Sequence, residues 1–286
     1  MRSSRARAPE VPPAPEPPRF RAPRLMGVVN ATPDSFHAAS RAPSRDAAVA
    51  RALRLVEDGA DLLDVGGEST RPGSDPVPPE DELARVVPVV AELARRVKVP
   101  ISVDTRRARV AAAALDAGAT IVNDVTALRG DPEMARTAAR AERVVLMHML
   151  GDSPKTMQDD PRYADAPAEV AAFLEERVAA FAAAGGDPAR VWVDPGIGFG
   201  KTLAHNLALL KRVGGLSRIA PVVLGVSRKS FLGRLRPDSG PEARLPGSLA
   251  AAAWAGFCGV EVLRVHDVAE TRRALEVLTA VAGADA

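Results

Sequence analysis

Residues 194–202, DPGIGFGKT, end in Gly-Lys-Thr and therefore contain the residue types of a phosphate-binding loop. Such a loop requires a glycine five positions before Gly200, so that successive backbone N–H groups surround a phosphate. This chain has Pro195 at that position, and proline has no N–H to donate. The alternating glycines also miss the spacing of a dinucleotide-binding turn. The pattern therefore argues against a nucleotide site, and Lys201 is expected to contribute little to catalysis.

Eight short apolar segments of the sequence each end in polar side chains. Ionised carboxylates and amides suit a flat heterocycle with alternating donors and acceptors, whereas lysine and arginine suit an anion. Taken singly, an Asp or Asn at such a place is explained equally well as a helix cap, and Arg71, between Thr70 and Pro72, as a surface side chain. The polar residues that end these segments are Asn30, Asp64, Asp104, Asn123, His148, Asp194, Ser227 with Arg228 and Lys229, and Arg264 with His266.

The same residues include no Cys or His cluster at the spacing of a zinc site. The single cysteine, Cys258, cannot form an internal disulfide and stands in an Ala-rich stretch, which favours a small packed residue over a nucleophile. We therefore expect neither a metal centre built from protein ligands alone nor a disulfide, and the chain fits a reducing cytoplasm.

The apolar segments alternate with longer Ala-, Leu-, Glu- and Arg-rich segments of helical character. Nearly continuous apolar strands indicate burial on both faces and parallel pairing, and eight repeats predict a (β/α)8 TIM barrel, with a doubly wound open sheet as the alternative. In a barrel the polar residues would meet at the carboxyl ends of the strands. The predicted strands are 25–30, 61–67, 100–105, 120–126, 143–149, 190–196, 221–228 and 260–268, and the predicted helices lie near 45–58, 80–97, 106–117, 131–141, 166–184, 203–214, 247–256 and 268–281.

The composition bounds the class of protein. The 286 residues are 47% hydrophobic and 26% charged, which is enough apolar material for one large core. A net charge of +2 gives little support to nucleic-acid binding. The sequence contains no apolar run of 18 residues, so no membrane span is predicted. Residues 1–24 are rich in proline and arginine and lack the apolar segment of a secretory signal. We predict a flexible tail over 1–24 and a single catalytic domain over 25–286.

Eight motifs occur in order along the sequence: GVVNATPDSF, DVGGESTRPG, ISVDT, IVNDVT, MHMLGDSPKTMQ, DPGIGFGKT, GVSRKSFLG and RVHDV. Together they resemble the dihydropteroate synthase family over about residues 24–280. The resemblance implies a (β/α)8 barrel that joins 6-hydroxymethyl-7,8-dihydropterin diphosphate to 4-aminobenzoate in folate biosynthesis, releases diphosphate with the help of Mg²⁺, and is a target of sulfonamides. It also implies a homodimer.

The resemblance also implies roles for individual side chains. Asp104, Asn123, Asp194 and Lys229 would hold the pterin ring, and Asn30 would help to bind the magnesium diphosphate. Arg71, Arg264 and His266 would surround the leaving group, while Phe36, Thr70, Pro72 and Ser227 would shape the aminobenzoate site. The residues expected to act in catalysis are Asp104, Asp194, Lys229, Arg264 and His266.

The implied mechanism needs no nucleophile from the protein. Diphosphate leaves the exocyclic methylene carbon, Asp104 and Asp194 stabilise the cation that develops on the pterin, and magnesium with the cationic side chains stabilises the departing anion. His148 is as well explained by core contacts as by ligand binding, and His205 fits a surface position at a helix start.

Two departures from the family pattern keep other functions open. His37-Ala38-Ala39-Ser40 stands where the family has Ser-Asp-Gly-Gly, and Leu150 replaces a residue that is more often polar. A pterin-dependent methyltransferase would share the barrel and the Asp/Asn pocket, but it would not need the Arg71 loop or the SRKSF segment. A weakened paralogue that binds pterin without turnover is the non-enzyme alternative, and a barrel without pterin affinity is a third.

Overall fold

The computed structural model describes residues 19–31, 45–69, 74–235 and 240–284, in which strands and helices alternate from end to end. The strands are β1 Arg24–Asn30, β2 Leu62–Gly66, β3 Ile101–Asp104, β4 Ile121–Asp124, β5 Arg143–Met147, β6 Val191–Asp194, β7 Val223–Gly225 and β8 Val262–Val265. The helices are α1 Arg45–Glu57, α2 Pro79–Arg96, α3 Ala108–Asp116, α4 Met134–Ala138, α5 Ala166–Ala183, α6 Leu203–Arg212, α7 Ser230–Leu235, α8 Leu245–Phe257 and α9 Val268–Ala282.

All eight strands are parallel, and the sheet closes on itself. Each strand from β1 to β6 pairs with the next one, and β8 lies between β1 and β7. The ring is completed between β6 and β7, where Val193 bridges Val222 and its N–H donates to the carbonyl of Pro221 at 3.0 Å. The predicted TIM barrel is therefore confirmed, and the open-sheet alternative is wrong.

The two-residue period of a strand sends alternate side chains into the barrel interior. The lower layer of that interior is an apolar cluster, which comprises Met26, Leu62, Ile121, Val145, Trp192, Val223 and Val262. Two positions further along the strands, the inward layer changes to Asp64, Asp104, Asn123, Asp194 and Arg264. The apolar layer thus forms a floor on which the polar groups lie at the carboxyl ends of the strands.

The helices cover the outside of the barrel through one apolar stripe each. In α5, Val170, Leu174 and Phe181 are buried at a spacing that keeps them on one helical face. The helix begins where the Asp165 carboxylate accepts the Ala168 N–H at 3.2 Å, as an N-cap does. Within the described residues, none of the helices has the length and apolar character needed to cross a lipid bilayer.

The structure differs from the predicted elements in three places. The fourth helix is only one turn long, and the short α7 between β7 and α8 was not predicted. Phe20, predicted to belong to the tail, packs its ring 5.1 Å from that of Phe257 on α8, and the Arg21 N–H donates to the Gly256 carbonyl at 3.4 Å. The chain is thus held against the barrel before β1 begins; residues 1–18 of the predicted tail lie outside the described ranges.

The floor of the barrel should be sensitive to lost volume. Val262 is fully buried in the interior cluster, so Val262→Ala is expected to lower the free energy of unfolding by about 2 kcal/mol. Urea titration measures the loss. Val277→Ala removes the same two methyl groups from an exposed position of α9 and should change stability by less than about 0.5 kcal/mol. Equal losses in the two variants would contradict a packed interior.

Candidate active site

A partly buried arginine joins two buried aspartates at the mouth of the barrel. The Arg264 guanidinium donates through Nε to Asp64 Oδ2 at 2.6 Å and through Nη2 to Asp104 Oδ2 at 2.9 Å. The Asn123 amide donates to the same Asp64 oxygen at 3.2 Å. The other oxygen of Asp64 is buried without a hydrogen-bond partner among the described residues. Side chains from β2, β3, β4 and β8 therefore form a single polar cluster.

Burial and charge act in opposite directions on this cluster. Burial raises the pKa of Asp104 above its ordinary value, the nearby Asp64 charge adds to the rise, and the Arg264 charge opposes it. For Arg264, burial favours the neutral form, but the charges of Asp64 and Asp104 outweigh it, and its pKa is raised. The guanidinium therefore stays charged, whereas the Asp104 carboxylate takes up a proton at a higher pH than an ordinary aspartate does.

Asp194 and Lys229 lie on the neighbouring side of the mouth. Burial raises the pKa of Asp194, while Lys229, the Gly196 N–H, Arg264 and Lys201 oppose the rise. Burial lowers the pKa of Lys229 to about 8 against the stabilising charge of Asp194. The Lys229 ammonium donates to the Ile197 carbonyl and lies 4.8 Å from the centre of the Phe199 ring. A carboxylate and a cation thus face the same space above the floor.

The glycines after Asp194 serve the shape of the β6 loop, residues 195–202. Gly196, Gly198 and Gly200 have φ values of 64°, 85° and 69°, in the left-handed region that other residues rarely adopt. A Cβ at Gly196 would overlap the carbonyl oxygen of His148, and one at Gly200 would overlap the side chain of Leu150. The loop therefore needs glycine both for its backbone turns and for its close packing against the chain that follows β5.

The nucleotide interpretation fails on geometry as well as spacing. Thr202 is the N-cap of α6, where its hydroxyl accepts the His205 N–H at 3.2 Å and His205 Nδ1 accepts the Thr202 N–H at 3.3 Å. This capping box occupies N–H groups that a phosphate would need. His205 is thus placed at a helix start, as the sequence predicts, and the helix end is already capped by its own side chains.

The Lys201 side chain lies in the protein interior. Its side chain is only 1% exposed, and the ammonium lies 2.9 Å from His148 Nδ1 and 3.0 Å from the Phe199 carbonyl oxygen. Burial and the Lys201 charge lower the pKa of His148 to about 3, so the ring is neutral. His148 therefore lies in the protein interior beside β6, in agreement with its interpretation as a residue satisfied by its neighbours.

The loops after β7 and β8 are tied together at the mouth. The Ser227 hydroxyl is 3.2 Å from both the backbone nitrogen and Nδ1 of His266. Next to them, Arg228 has a φ of 57° and forms a two-pronged ion pair with Asp267, with Nε 2.9 Å from Oδ2. The ion pair supports a strained backbone between Ser227 and Lys229 and so keeps both side chains at the site.

Described residues on both sides of the loop after β2 are held by one carboxylate. Glu68 forms ion pairs with Arg106 at 3.0 Å and with Arg107 at 2.8 Å, and it accepts a hydrogen bond from the Val77 N–H at 3.3 Å. Asn30 lies at the exposed end of β1. The remaining predicted site residues lie outside the described ranges: Phe36, the 37–40 departure, Thr70, Arg71 and Pro72.

Asp64 is the member of the polar cluster to which the sequence assigned no role. Its position in DVGG places it on the inward face of β2, one layer above the apolar floor, and the two-residue period of the strand is the signal that marks it. Asp124, which follows Asn123, points elsewhere and accepts the N–H groups of Thr126 and Leu128 at 2.7 and 2.9 Å. It shapes the loop after β4 and does not join the cluster.

The arrangement can bind a flat polar ring beside an anion. Asp104, Asn123 and Asp194 present acceptors and an amide, Lys229 and Arg264 supply positive charge, and His266 lies at the adjoining strand end. Their predicted roles stay predictions, including that of Arg264 as an anion ligand, since its guanidinium is engaged by two aspartates here. Among the described residues, no three His, Cys, Asp or Glu side chains are grouped to hold a metal ion.

Comparison with known proteins identifies the family. Residues 26–266 match the model of the pterin binding enzymes. The chain is 46% identical over 264 residues to the dihydropteroate synthase of Neisseria meningitidis serogroup C, an alignment that covers 91% of this chain and 93% of that protein. It is 43% identical over 263 residues to the dihydropteroate synthase of Escherichia coli K12, with 92% and 93% covered.

Solved structures agree with the sequence relatives. The dihydropteroate synthase of Xanthomonas albilineans with 4-aminobenzoic acid superposes with a TM-score of 0.85 at 46% identity, covering 94% of this chain and 99% of that one. The same enzyme in complex with 7,8-dihydropteroate gives a TM-score of 0.82 at 44% identity, covering 94% and 100%. In fold and in sequence, the chain belongs to the pterin-binding enzymes, in the dihydropteroate synthase family.

Proposed function

We propose that this protein is a transferase that condenses 6-hydroxymethyl-7,8-dihydropterin diphosphate with 4-aminobenzoate, giving 7,8-dihydropteroate and diphosphate in folate biosynthesis. The observation that carries the proposal is the hydrogen-bonded cluster of Asp64, Asp104, Asn123 and Arg264 at the mouth of a barrel of this family. Its relatives include a dihydropteroate synthase crystallised with 4-aminobenzoic acid and one crystallised with a sulfonamide drug.

The pterin ring carries amino, ring N–H and carbonyl groups along its edge, which require acceptors and donors in alternation. Asp104 and Asp194 would accept ring donors, while the Asn123 amide and the Lys229 ammonium would meet the ring acceptors. Asp64 orients both Asn123 and Arg264 by accepting from each of them. The pocket can therefore bind a pterin ring with the strands in the positions seen here.

Bond breaking separates charge, and the site has groups for both signs. The bond between the exocyclic methylene carbon and the diphosphate oxygen breaks first, and the positive charge left on the pterin faces Asp104 and Asp194. His266, Arg71 and Arg264 would stabilise the departing diphosphate. The aminobenzoate nitrogen, neutral at physiological pH, then forms the C–N bond and loses a proton. Electrostatic stabilisation of the two separated charges supplies the rate enhancement.

Magnesium fits this site as a companion of the substrate. Mg²⁺ prefers oxygen ligands and keeps substrate phosphates and waters in its shell, and the described residues offer the Asn30 amide oxygen at the end of β1. Asn30 would therefore be one protein ligand, and the diphosphate oxygens would complete the set. Bound magnesium would neutralise part of the charge on the leaving group.

The aminobenzoate site would lie beside the pterin. Ser227, held by His266, is the described residue of that site, and Phe36, Thr70 and Pro72 are its further predicted members. We expect the protein to act in the cytoplasm. Calorimetric titration with the pterin diphosphate and magnesium, followed by aminobenzoate and detection of dihydropteroate, tests the whole proposal; pterin binding without product would favour the weakened paralogue or the methyltransferase.

Asp104 should control both the rate and its pH dependence. Asp104→Asn keeps the shape of the side chain but loses the charge that faces the developing cation, so kcat/KM for the pterin diphosphate should fall by the equivalent of about 2–4 kcal/mol. Because burial raises the pKa of Asp104 and of Asp194, activity is present above these pKa values and is lost as the pH falls through them.

The pH profile separates the charge of Asp104 from general damage. In the unmodified enzyme two buried carboxyl groups take up protons on the acidic side, so the fall in kcat/KM should be steep. In Asp104→Asn only Asp194 remains, and the fall should become shallower. Asp131→Asn, at the start of the segment before α4, is a matched control expected to leave the profile unchanged. An equally steep acidic limb in Asp104→Asn would remove Asp104 from the titrating pair.

His266 should contribute to the binding of the pterin diphosphate ester but not to that of the pterin alcohol. If it faces the leaving group, His266→Gln should weaken the pterin diphosphate about tenfold and leave the pterin alcohol nearly unaffected, because only the ester presents the anion. Competition calorimetry with the two ligands makes the comparison. His205→Gln, at the capped start of α6, serves as the control. Equal weakening of both ligands by His266→Gln would assign that residue to ring binding or to structure.

The protein is further proposed to be a homodimer through α6 and α8. Leu207 and Trp254 are 40% and 47% exposed on these helices, and the Trp254 indole N–H bonds to the Leu210 carbonyl at 2.8 Å, which joins the two helices into one surface.

Trp254→Glu should therefore convert the dimer to a monomer in sedimentation velocity, since it places a charge in an apolar contact. Val277→Glu, on the exposed face of α9, should leave the dimer intact. A monomer before any substitution, or a dimer that survives Trp254→Glu, would contradict the proposed interface.

A further inference from the structure

Lys201 is a buried ammonium group at the side of the candidate site, and the chemistry proposed above does not use it. Its side chain is 1% exposed. The ammonium lies 2.9 Å from His148 Nδ1, 3.0 Å from the Phe199 carbonyl oxygen and 3.5 Å from the His148 carbonyl oxygen. Burial, together with the charge of Lys229, lowers the pKa of Lys201 to about 7.

Removing an ammonium group from water is costly unless hydrogen bonds replace its hydration. The acceptors that replace water here come from two separate segments, His148 after β5 and Phe199 in the β6 loop. Since His148 is neutral, its Nδ1 accepts from the ammonium. Lys201 therefore cross-links the β6 loop to the end of β5 with bonds that no apolar side chain could form.

The β6 loop held by this cross-link contacts Asp194 and Lys229, two groups predicted to face the pterin. Phe199, whose carbonyl binds Lys201, places its ring 4.8 Å from the Lys229 ammonium. Lys229 also donates to the Ile197 carbonyl, and the Gly196 N–H donates to Asp194 Oδ1 at 2.7 Å. Residues 195–199 thus connect Asp194 at the end of β6 to Phe199, which binds Lys201, and the Ile197 carbonyl of this segment contacts Lys229. A shift of Phe199 is therefore transmitted to both predicted ring ligands.

The charge of Lys201 acts on the same pair. The groups that face Asp194 are its own loop N–H at Gly196, Lys201 in that loop, Lys229 after β7 and Arg264 on β8, and each favours the ionised carboxylate against the effect of burial. His148, from β5, is neutral and adds no charge. Loss of the Lys201 ammonium would therefore leave Asp194 easier to protonate.

We propose that Lys201 is a positioning residue for pterin recognition, which fixes the β6 loop so that Asp194 and Lys229 meet the ring. The inference rests on the proposed function for the identity of the ligand. It excludes direct phosphate binding by Lys201, because the ammonium is directed to His148 and Phe199 inside the protein, and the start of α6 is closed by Thr202 and His205.

The test uses Lys201→Met, which has a similar length without donors, and Lys201→Gln, which keeps a donor without charge. Calorimetry measures the dissociation constants of the pterin alcohol and of the pterin diphosphate as a function of pH. We expect Lys201→Met to weaken both ligands by a similar factor of about ten or more, since each depends on the same ring contacts. In both variants the acidic limb of binding should move to higher pH.

Lys211→Met, on the exposed side of α6, is the matched control and should bind both ligands as the unmodified protein does. Unchanged binding in Lys201→Met, or a loss confined to the diphosphate ester, would overturn the inference. Thermal unfolding monitors folding; should Lys201→Met fail to fold, an acidic limb in Lys201→Gln identical to that of the unmodified protein overturns the inference equally.

Formation of dihydropteroate by the unmodified protein tests the proposed function separately. Unmodified protein that binds the pterin alcohol but forms no dihydropteroate would refute the synthase activity and leave the Lys201 inference standing. Unmodified protein that forms dihydropteroate, with Lys201→Met equal to it at every pH, would refute the inference alone.

Discussion

The structure of the site depends on one guanidinium that bridges two aspartates. Arg264 extends from β8 above the apolar floor, and its partly buried charge is stabilised by Asp64 and Asp104, which lie 2.6 and 2.9 Å from it. The charge of Arg264 opposes the rise that burial and the charge of Asp64 cause in the pKa of Asp104. The pair of ion contacts therefore holds β2, β3 and β8 in a fixed relation at the barrel mouth.

From this cluster the remaining polar groups take their places by packing around it. Asn123 turns its amide to Asp64, and Asp194 with Lys229 completes the ring of side chains on the other side. The loops that bring these groups together are held by their own contacts, with Glu68 clamping the loop after β2 and Asp267 clamping Arg228. Hydrogen bonds and ion pairs thus hold the side chains of the candidate site in place, as the proposed reaction requires of groups that stabilise developing charge.

The glycine loop after β6 shows how one motif can be misleading at first sight. Gly-Lys-Thr resembles the end of a phosphate loop, but Gly200 turns the chain, Thr202 caps α6, and Lys201 enters the interior. The backbone N–H groups that would bind phosphate in a nucleotide site are occupied by the protein itself, and the lysine is surrounded by carbonyl oxygens and a histidine ring.

The sequence by itself determined the barrel, the order of its strands and the family, because apolar strand segments, helix periodicity and motif order are properties of neighbouring residues. It also located the strand-end residues Asp104, Asn123 and Asp194, since a parallel barrel brings the carboxyl ends of its strands to one face. Only the tertiary structure decided that Arg264 lies between Asp64 and Asp104, and that Lys201 is buried against His148. These contacts join residues 53 to 200 positions apart, and they depend on how a closed barrel brings its strand ends together, which no local pattern encodes.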